Sequence, residues 1–121
     1  MLTPWGTALD ERSILPEYPR PQLRRDSYLN LNGRWDCAFT KSENEPERFD
    51  MTILVPFSPE TELSGVHRAL APGEYLWYRR RVRLPEGFKK ARLLLHFGAV
   101  DQIAEVFVNG VSVRRHTGGY T

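Results

Sequence analysis

Apolar and polar residues alternate along much of this chain, with the period of two that a β-strand requires. Trp35, Cys37 and Phe39 alternate with polar or small neighbours, as on a strand that buries one face. A β-branched run stops at Pro56, and a longer alternating run stops at Pro85. The pattern in this half predicts three strands, over residues 34–39, 52–55 and 75–84.

The second half of the chain repeats this pattern in shorter segments. Residues 91–97 and 103–108 predict two further strands, and residues 111–114 predict a sixth. Asn109 and Gly110 separate the last two, and Asn-Gly between alternating apolar runs is the strongest short-range hairpin pattern. No helical stripe of useful length occurs. Six short strands with turn residues between them are typical of an all-β sandwich or barrel.

A proline-rich segment precedes the strands. Four of the nine prolines lie between residues 4 and 21, and each fixes φ and restricts the residue before it. We therefore predict two regions, an extended N-terminal arm over residues 1–18 and a partial sugar-binding β-sandwich domain over residues 19–121. Because no closing element follows the last predicted strand, we expect the sandwich to be incomplete at its C-terminal end.

Composition and charge exclude several classes of protein. The chain is 40% hydrophobic and 26% charged, as in ordinary globular domains. A net charge of +2 gives nucleic-acid binding no support. The first residues lack the basic and apolar regions of a signal peptide, and apolar runs such as residues 93–95 are far too short to cross a bilayer. We therefore predict a cytoplasmic protein with neither nucleic-acid nor membrane partners.

Metal, thiol and phosphate chemistry find little support. Cys37 is the only cysteine, which excludes an internal disulfide, and we interpret it as an inert core thiol. The histidines have no metal-ligand spacing, so we predict no metal site. An arginine-rich run at 79–83 is a candidate for phosphate binding, but we favour ion pairs or solvated charge. The histidines are His67, His96 and His116.

Four stretches, in order, resemble a known family. They are Pro-Arg-Pro at 19–21 with Leu-Asn-Gly-Arg-Trp at 31–35, Val-Pro-Phe-Ser-Pro-Glu at 55–60, Leu-Trp-Tyr-Arg-Arg at 76–80, and Leu-His-Phe-Gly-Ala-Val-Asp at 95–101 with Val-Asn-Gly at 108–110 and His-Thr-Gly-Gly-Tyr-Thr at 116–121. Each stretch alone is weak, but their order and spacing are specific. The chain resembles the N-terminal domain of glycoside hydrolase family 2, the group of β-galactosidases, β-glucuronidases and β-mannosidases.

This resemblance implies a fold and a parent reaction. The fold is a jelly-roll β-sandwich of the galactose-binding-domain-like type. In the family it precedes an immunoglobulin-like domain and a (β/α)₈ barrel with two catalytic glutamates. The parent enzyme is a retaining β-glycosidase that hydrolyses terminal β-linked sugars, either β-galactosides or β-glucuronides, and we predict no cofactor. We expect carbohydrate to be bound through the full-length enzyme, together with its downstream immunoglobulin-like and barrel domains.

The acidic residues do not supply a catalytic pair. Retaining hydrolysis needs two carboxyl groups roughly 5–5.5 Å apart across the sugar, whereas the acids here lie in polar loops. We therefore predict no catalytic residue in this chain and no activity of this chain alone. The resemblance gives Glu60 a loop-anchoring role. The loop acids are Glu43, Glu45, Glu47, Glu60 and Glu62.

Asn109 is the one predicted substrate-binding residue. In the β-galactosidase branch, the resemblance implies that the asparagine of this turn reaches the active site, and an amide can both donate to and accept from a sugar hydroxyl. The alternative is that Asn109 only makes a type I′ turn with Gly110. Asp101 is predicted to order the loop before the next strand. Three tryptophans are candidates for stacking on sugar rings, with core packing favoured for the second: Trp5, Trp35 and Trp77.

Two other functions fit the same strands. One is a free-standing carbohydrate-binding module, which needs an exposed sugar-binding face. The other is a non-catalytic protein-interaction β-sandwich without sugar affinity. Titration with monosaccharides distinguishes these two.

Overall fold

A computed structural model describes residues 2–119. Five strands carry the fold, β1 (Gly33–Thr40), β2 (Met51–Val55), β3 (Tyr75–Arg79), β4 (Ile103–Val108) and β5 (Val111–Thr117). The helical elements are one α-helical turn, α1 (Pro4–Thr7), and two 3₁₀ turns, Pro21–Leu23 and Glu62–Ser64. All strand pairs are antiparallel, so the prediction of an all-β chain is confirmed, and the sheets are consistent with a fragment of an all-β sandwich.

The chain divides into two compact units. The N-terminal unit spans Met1–Pro85 and holds a three-stranded sheet in the order β2-β1-β3. The C-terminal unit spans Glu86–Thr121 and holds the β4–β5 hairpin. Among residues 2–119, no helix has the length and apolarity that crossing a membrane requires.

The core of the N-terminal unit lies around its central strand. Cys37 on β1 pairs with Met51 on β2 and with Tyr78 on β3, and its side chain is fully buried. Ile53 is also fully buried. Ala38 is buried as well, which the alternation did not predict. Strand β1 has hydrogen-bonded neighbours on both edges, and successive residues near its middle are covered.

Strand β3 is shorter than its sequence pattern. It ends at Arg79 rather than at residue 84. Alternation describes the faces that side chains take, whereas a strand also needs backbone hydrogen bonds to a neighbour. Beyond Arg79 the side chain of Arg80 makes the long-range contacts, donating to the carbonyl oxygens of Leu31 at 2.5 Å and Asn32 at 2.9 Å. The backbone ladder stops there.

The predicted extended arm contains one helical turn. Pro4 occupies the first turn of α1, where its missing N–H costs nothing, and the Thr3 hydroxyl caps the turn. Farther along, Ile14 is buried and the Asn30 amide donates to the Leu15 carbonyl at 2.9 Å. Proline in this arm therefore begins a helical turn at Pro4 as well as restricting other residues to extended backbone. The boundary between residues 18 and 19 stays a prediction.

The C-terminal unit contains the predicted hairpin. Asn109 and Gly110 both have positive φ, 52° and 80°, as a type I′ turn requires. Strand β5 runs to Thr117, three residues beyond the predicted end at 114. The register shifts between Val106 and Phe107, which pair with Arg114 and Ser112, so Val113 is the extra residue of a bulge in β5.

The strand predicted over residues 91–97 is wrong. No strand is formed there. Its three consecutive leucines are 45–53% exposed, although they are the most apolar run of the unit. None of the strands among residues 2–119 forms a backbone hydrogen-bond ladder with this segment, and without such a ladder an apolar run does not become a strand.

Candidate functional site

The hairpin tip carries the predicted substrate-binding residue. Asn109 lies directly between β4 and β5, and its side chain is exposed. Asn tolerates φ of 52° because its short polar side chain permits the left-handed region, and Gly110 follows for the same steric reason. The tip therefore combines a fixed backbone with an amide that can donate and accept. Its contact with substrate stays a prediction.

Asp101 lies against the glycines that follow the hairpin. The amide of Gly118 donates to the carbonyl of Gln102 at 2.7 Å. A Cβ placed on Gly119 would lie 3.3 Å from Oδ1 of Asp101, closer than side chains normally approach. The Asp101 carboxylate thus packs on the Gly119 backbone, which gives a reason for glycine at 119. The loop-ordering role of Asp101 stays a prediction.

An open groove of about 410 Å³ runs through the C-terminal unit. Its lining is mainly apolar and includes Phe97 and, from β4, Val106. Arg114, His96 and His116 add the polar part of the lining. The sequence spacing of the histidines gave no indication that two of them share one groove. No carboxylate or thiol lines it, and groups of three potential metal ligands are absent among residues 2–119.

A fixed corner precedes β1 in the N-terminal unit. The Trp35 indole donates to the Leu31 carbonyl at 2.8 Å, and the Arg80 guanidinium lies 5.9 Å from the centre of the Trp35 ring. Gly33 has φ of 118° and is buried beside Arg80. Trp35 is half-buried within this network, which agrees with the packing role favoured for it, and its contact with sugar stays untested.

The arginine run separates into individual contacts. Arg79 pairs with Asp36 at 3.3 Å and stacks over Phe49 at 4.0 Å. Arg81 and Arg83 follow the end of β3 and are exposed. Strand β3 stops at Arg79, so Arg81 and Arg83 do not continue a strand face from it. For Arg79, the favoured ion-pair interpretation is confirmed.

Sequence reasoning missed a group of contacts around Arg68. The guanidinium of Arg68 stacks over Phe39 at 4.1 Å and pairs with Glu74 at 2.6 Å. Arg68 and Glu74 lie in irregular segments and Phe39 lies in β1, so no periodicity connects them. Only the fold brings them together.

Two loop acids accept hydrogen bonds from nearby hydroxyls. Glu60 accepts from the Ser58 hydroxyl, which holds the pKa of the Glu60 carboxyl below its usual value. Glu43 accepts from the Tyr75 hydroxyl at 2.7 Å. The Glu60 contact within its own loop agrees with the anchoring role that the family resemblance implies.

Two groups at the centre of the sheet have raised pKa values. Burial raises the pKa of Tyr78 to about 12, and negative charge on Cys37 and Glu60 acts in the same direction. Burial also raises the pKa of the Cys37 thiol, with Asp50 and Asp36 adding to the shift. A thiol held neutral is a poor nucleophile, which supports the interpretation of Cys37 as an inert core residue.

Comparison with known proteins identifies homologues of this chain. No family model matches the chain. It is 42% identical over 99 residues to a β-galactosidase of Thermoanaerobacter pseudethanolicus, covering 77% of the chain and 13% of that protein. Its homologues are family 2 glycoside hydrolases. They include the human β-glucuronidase, 41% identical over 132 residues, with 96% of the chain and 20% of that protein covered.

A third homologue is also a β-glucuronidase, and it shows how small a part of its relatives this chain covers. The β-glucuronidase of Streptococcus agalactiae is 28% identical over 107 residues, which cover 86% of the chain and 17% of that protein. The chain therefore spans only about a fifth or less of the curated relatives it matches, and it corresponds to a fragment of such an enzyme. The family resemblance of the sequence motifs is confirmed.

Proposed function

We propose that this chain is the front part of the N-terminal, sugar-binding β-sandwich domain of a retaining β-glycosidase. In this proposal the catalytic barrel lies outside residues 1–121, and the chain shapes and supports the substrate pocket without transferring protons. The observation that carries the proposal is homology to β-galactosidases and β-glucuronidases over 77–96% of the chain but only 13–20% of those proteins. The substrate is a terminal β-galactoside or β-glucuronide.

The proposal includes the partners and location expected from the sequence. Carbohydrate is bound by the full-length enzyme, and the chain packs beside an immunoglobulin-like domain and the barrel. The enzyme is cytoplasmic and uses no cofactor. Two of the loop acids support the proposal that the chain does not transfer protons. Glu60 accepts a hydrogen bond from the Ser58 hydroxyl, and Glu43 accepts one from the Tyr75 hydroxyl.

Hydrolysis assays on the full-length enzyme and on the 121-residue chain test whether the catalytic groups lie outside this chain. We expect the full-length enzyme to cleave an aryl β-galactoside or an aryl β-glucuronide, and the 121-residue chain to cleave neither above background. The two aryl substrates differ only in the sugar, so their comparison also assigns the substrate class. Turnover by the purified 121-residue chain would refute the proposed location of the catalytic groups.

Asn109 is the proposed substrate contact of this chain. The substitution Asn109→Gly in the full-length enzyme removes the amide and keeps a residue that adopts φ of 52° without strain. Loss of one hydrogen bond to substrate predicts a fall in kcat/KM of roughly tenfold, since such a bond contributes about 1–1.5 kcal/mol.

A matched variant separates substrate contact from turn formation. Gly110→Ala strains the same turn, because Gly110 has φ of 80°, but it leaves the Asn109 amide in place. If Asn109 contacts substrate, Asn109→Gly lowers kcat/KM more than Gly110→Ala does. An unchanged kcat/KM in Asn109→Gly would leave Asn109 with the turn role alone.

A further inference from the structure

The dipeptide Asn-Gly occurs at two places in this chain, in two different settings. Asn32 and Gly33 lie where β1 begins, and Asn109 and Gly110 form the hairpin turn. Glycine has no Cβ to shield its backbone nitrogen, so that nitrogen can attack the side-chain amide of an asparagine that precedes it. The same local chemistry is available at both places, and only the fold distinguishes them.

The first of these asparagines is held from several directions. The Asn32 side-chain amide donates to the Ile14 carbonyl at 3.3 Å, and the Asn32 backbone carbonyl accepts from the Arg80 guanidinium at 2.9 Å. Gly33 is buried and pairs with Val55 of β2. The peptide group between Asn32 and Gly33 therefore cannot rotate without disturbing contacts to three separate parts of the N-terminal unit.

The second asparagine has no such restraints. Asn109 is exposed, and within residues 2–119 no hydrogen bond holds its side-chain amide. A Cβ built on Gly110 would have no atom beyond its chain neighbours within 4 Å. The turn joins β4 and β5, which pair only with each other, and exposed tips of this kind open locally at low cost in free energy. The Asn109-Gly110 peptide group can therefore reorient for the attack.

We propose that Asn109 is a site of spontaneous deamidation, while the fold protects Asn32 from the same reaction. The deprotonated backbone nitrogen of Gly110 attacks Cγ of Asn109, and the new N–C bond closes a succinimide ring. The Cγ–Nδ2 bond breaks, and Nδ2 leaves as ammonia with the proton that Gly110 lost. Water then opens the ring at either carbonyl, which gives aspartate or isoaspartate. Water is the only co-reactant, so the site needs no partner molecule.

The reaction changes the chemistry of the hairpin tip. An amide that donates and accepts hydrogen bonds becomes a carboxylate that only accepts them and carries a negative charge. Isoaspartate also lengthens the main chain within the turn, because the backbone then runs through the former side-chain carbonyl. The proposed function places the Asn109 amide against the sugar. On that basis, kcat/KM of the full-length enzyme is expected to fall as the deamidated fraction grows.

Peptide mass spectrometry of the full-length enzyme during prolonged incubation at mildly alkaline pH tests the proposal without any substitution. A converted asparagine gains the mass difference between an OH and an NH2 group. We expect Asn109 to convert at least about tenfold faster than Asn32, since breaking a single hydrogen bond slows a step by about that factor. In the same protein unfolded in guanidinium chloride, both are expected to convert at similar rates. Conversion of Asn109 as slow as that of Asn32 in the folded enzyme would overturn the proposal.

A third asparagine separates the effect of exposure from the effect of glycine. Asn44 is exposed in the loop between β1 and β2, but it precedes Glu45, whose side chain shields the next backbone nitrogen. We expect Asn44 to convert much more slowly than Asn109, both in the folded enzyme and in the unfolded protein. Conversion of Asn44 as fast as that of Asn109 would contradict the proposed attack by the Gly110 nitrogen.

Hydrolysis of aryl glycosides, measured on the same samples, separates the modification from the proposed function. We expect kcat/KM to fall in parallel with the conversion of Asn109, and Asn109→Gln, whose longer side chain disfavours ring closure, to keep its own kcat/KM over the same incubation. Conversion of Asn109 with unchanged kcat/KM would support the deamidation and refute the substrate contact alone. An active enzyme in which Asn109 does not convert would refute the deamidation alone.

Discussion

The sheet of the N-terminal unit and the hairpin of the C-terminal unit use similar residues with different results. In the sheet, β1 pairs on both edges, and Cys37 and Ile53 are fully buried. In the hairpin, β4 and β5 pair only with each other, and Ile103 and Val113 are 61% and 54% exposed. Both units contain alternating apolar strands. Only one of them surrounds those strands with enough neighbours to form a core.

The difference shows that alternating apolar residues form a buried core only where further strands pack beside them. A two-stranded hairpin is marginal by itself, and three strands with a covered face are needed for independent stability. Ala104 and Val106 line the groove of the C-terminal unit, while Ile103 and Phe107, at alternate positions, are exposed. Apolar residues thus occupy both faces of β4, the pattern of a strand that is covered on both sides.

The largest expected effect comes from truncating the covered core. Ile53→Ala removes a fully buried side chain from β2, and we expect it to destabilise the N-terminal unit by about 2–5 kcal/mol. Val113→Ala, which removes an exposed side chain of β5, is expected to change the stability of the hairpin by less than about 0.5 kcal/mol. Peptide-resolved hydrogen exchange on the 121-residue chain measures the opening free energy of each unit.

The same pair of variants in the full-length enzyme sharpens the comparison. A cost for Val113→Ala that approaches the cost of Ile53→Ala would mean that the hairpin face is covered there. Equal small costs for both variants in the 121-residue chain would contradict the difference between the units.

A smaller effect is expected at the corner before β1. Arg80→Met keeps the aliphatic stem but removes the guanidinium that donates to the Leu31 and Asn32 carbonyls. We expect a loss of about 1–3 kcal/mol in the N-terminal unit, the range for hydrogen bonds to charged groups and their unsatisfied partners. Arg81→Met is the matched control, because Arg81 is exposed beyond the end of β3. Equal effects in urea unfolding would remove the distinction between the two arginines.

The sequence predicted the local pairing well. The Asn109-Gly110 turn, strand β2 and most of β1 lie where the alternation and turn residues place them, because these features depend on nearby residues. The apolar run at 91–97 failed, since whether it becomes a strand depends on a neighbour that no local pattern reveals. The end of β3 was misplaced for the same reason.

Parts of the candidate site also escaped prediction. The contact between Asp101 and Gly119 joins two ends of the hairpin, and a groove shared by His96 and His116 joins a loop to β5. Residue spacing carries no information about such long-range contacts. The helical turn at Pro4–Thr7 was missed because proline was interpreted as extending the chain, although proline also starts helices.

Strain at the hairpin turn gives an effect of intermediate size. Gly110→Ala places a Cβ at φ of 80°, and we expect the hairpin to lose about 1 kcal/mol. Gly98→Ala is the matched control in the same unit, since that residue has no left-handed backbone and open space around its Cβ position. Hydrogen exchange of the β4 and β5 amides measures both. A cost for Gly98→Ala as large as that of Gly110→Ala would contradict the turn geometry.

The smallest expected effect is a loss of stability of the N-terminal unit at alkaline pH. Burial raises the pKa of Tyr78 from 10.0 to about 12 in the folded chain, so folding favours the neutral phenol. The contribution to the free energy of unfolding is full below pH 10 and is lost as the pH rises toward 12. Since Tyr78 is 39% exposed, solvent screening keeps the effect modest.

Ultraviolet absorbance of tyrosinate, followed with urea unfolding, measures the titration and its cost together. Tyr78→Phe is expected to remove this part of the alkaline destabilisation, while the C-terminal unit keeps its own pH dependence in both proteins. Identical alkaline profiles for the N-terminal unit of the two proteins would show that folding does not hinder ionisation of Tyr78. The contrast between the covered sheet and the exposed hairpin would then rest on Cys37 and Ile53, which are fully buried.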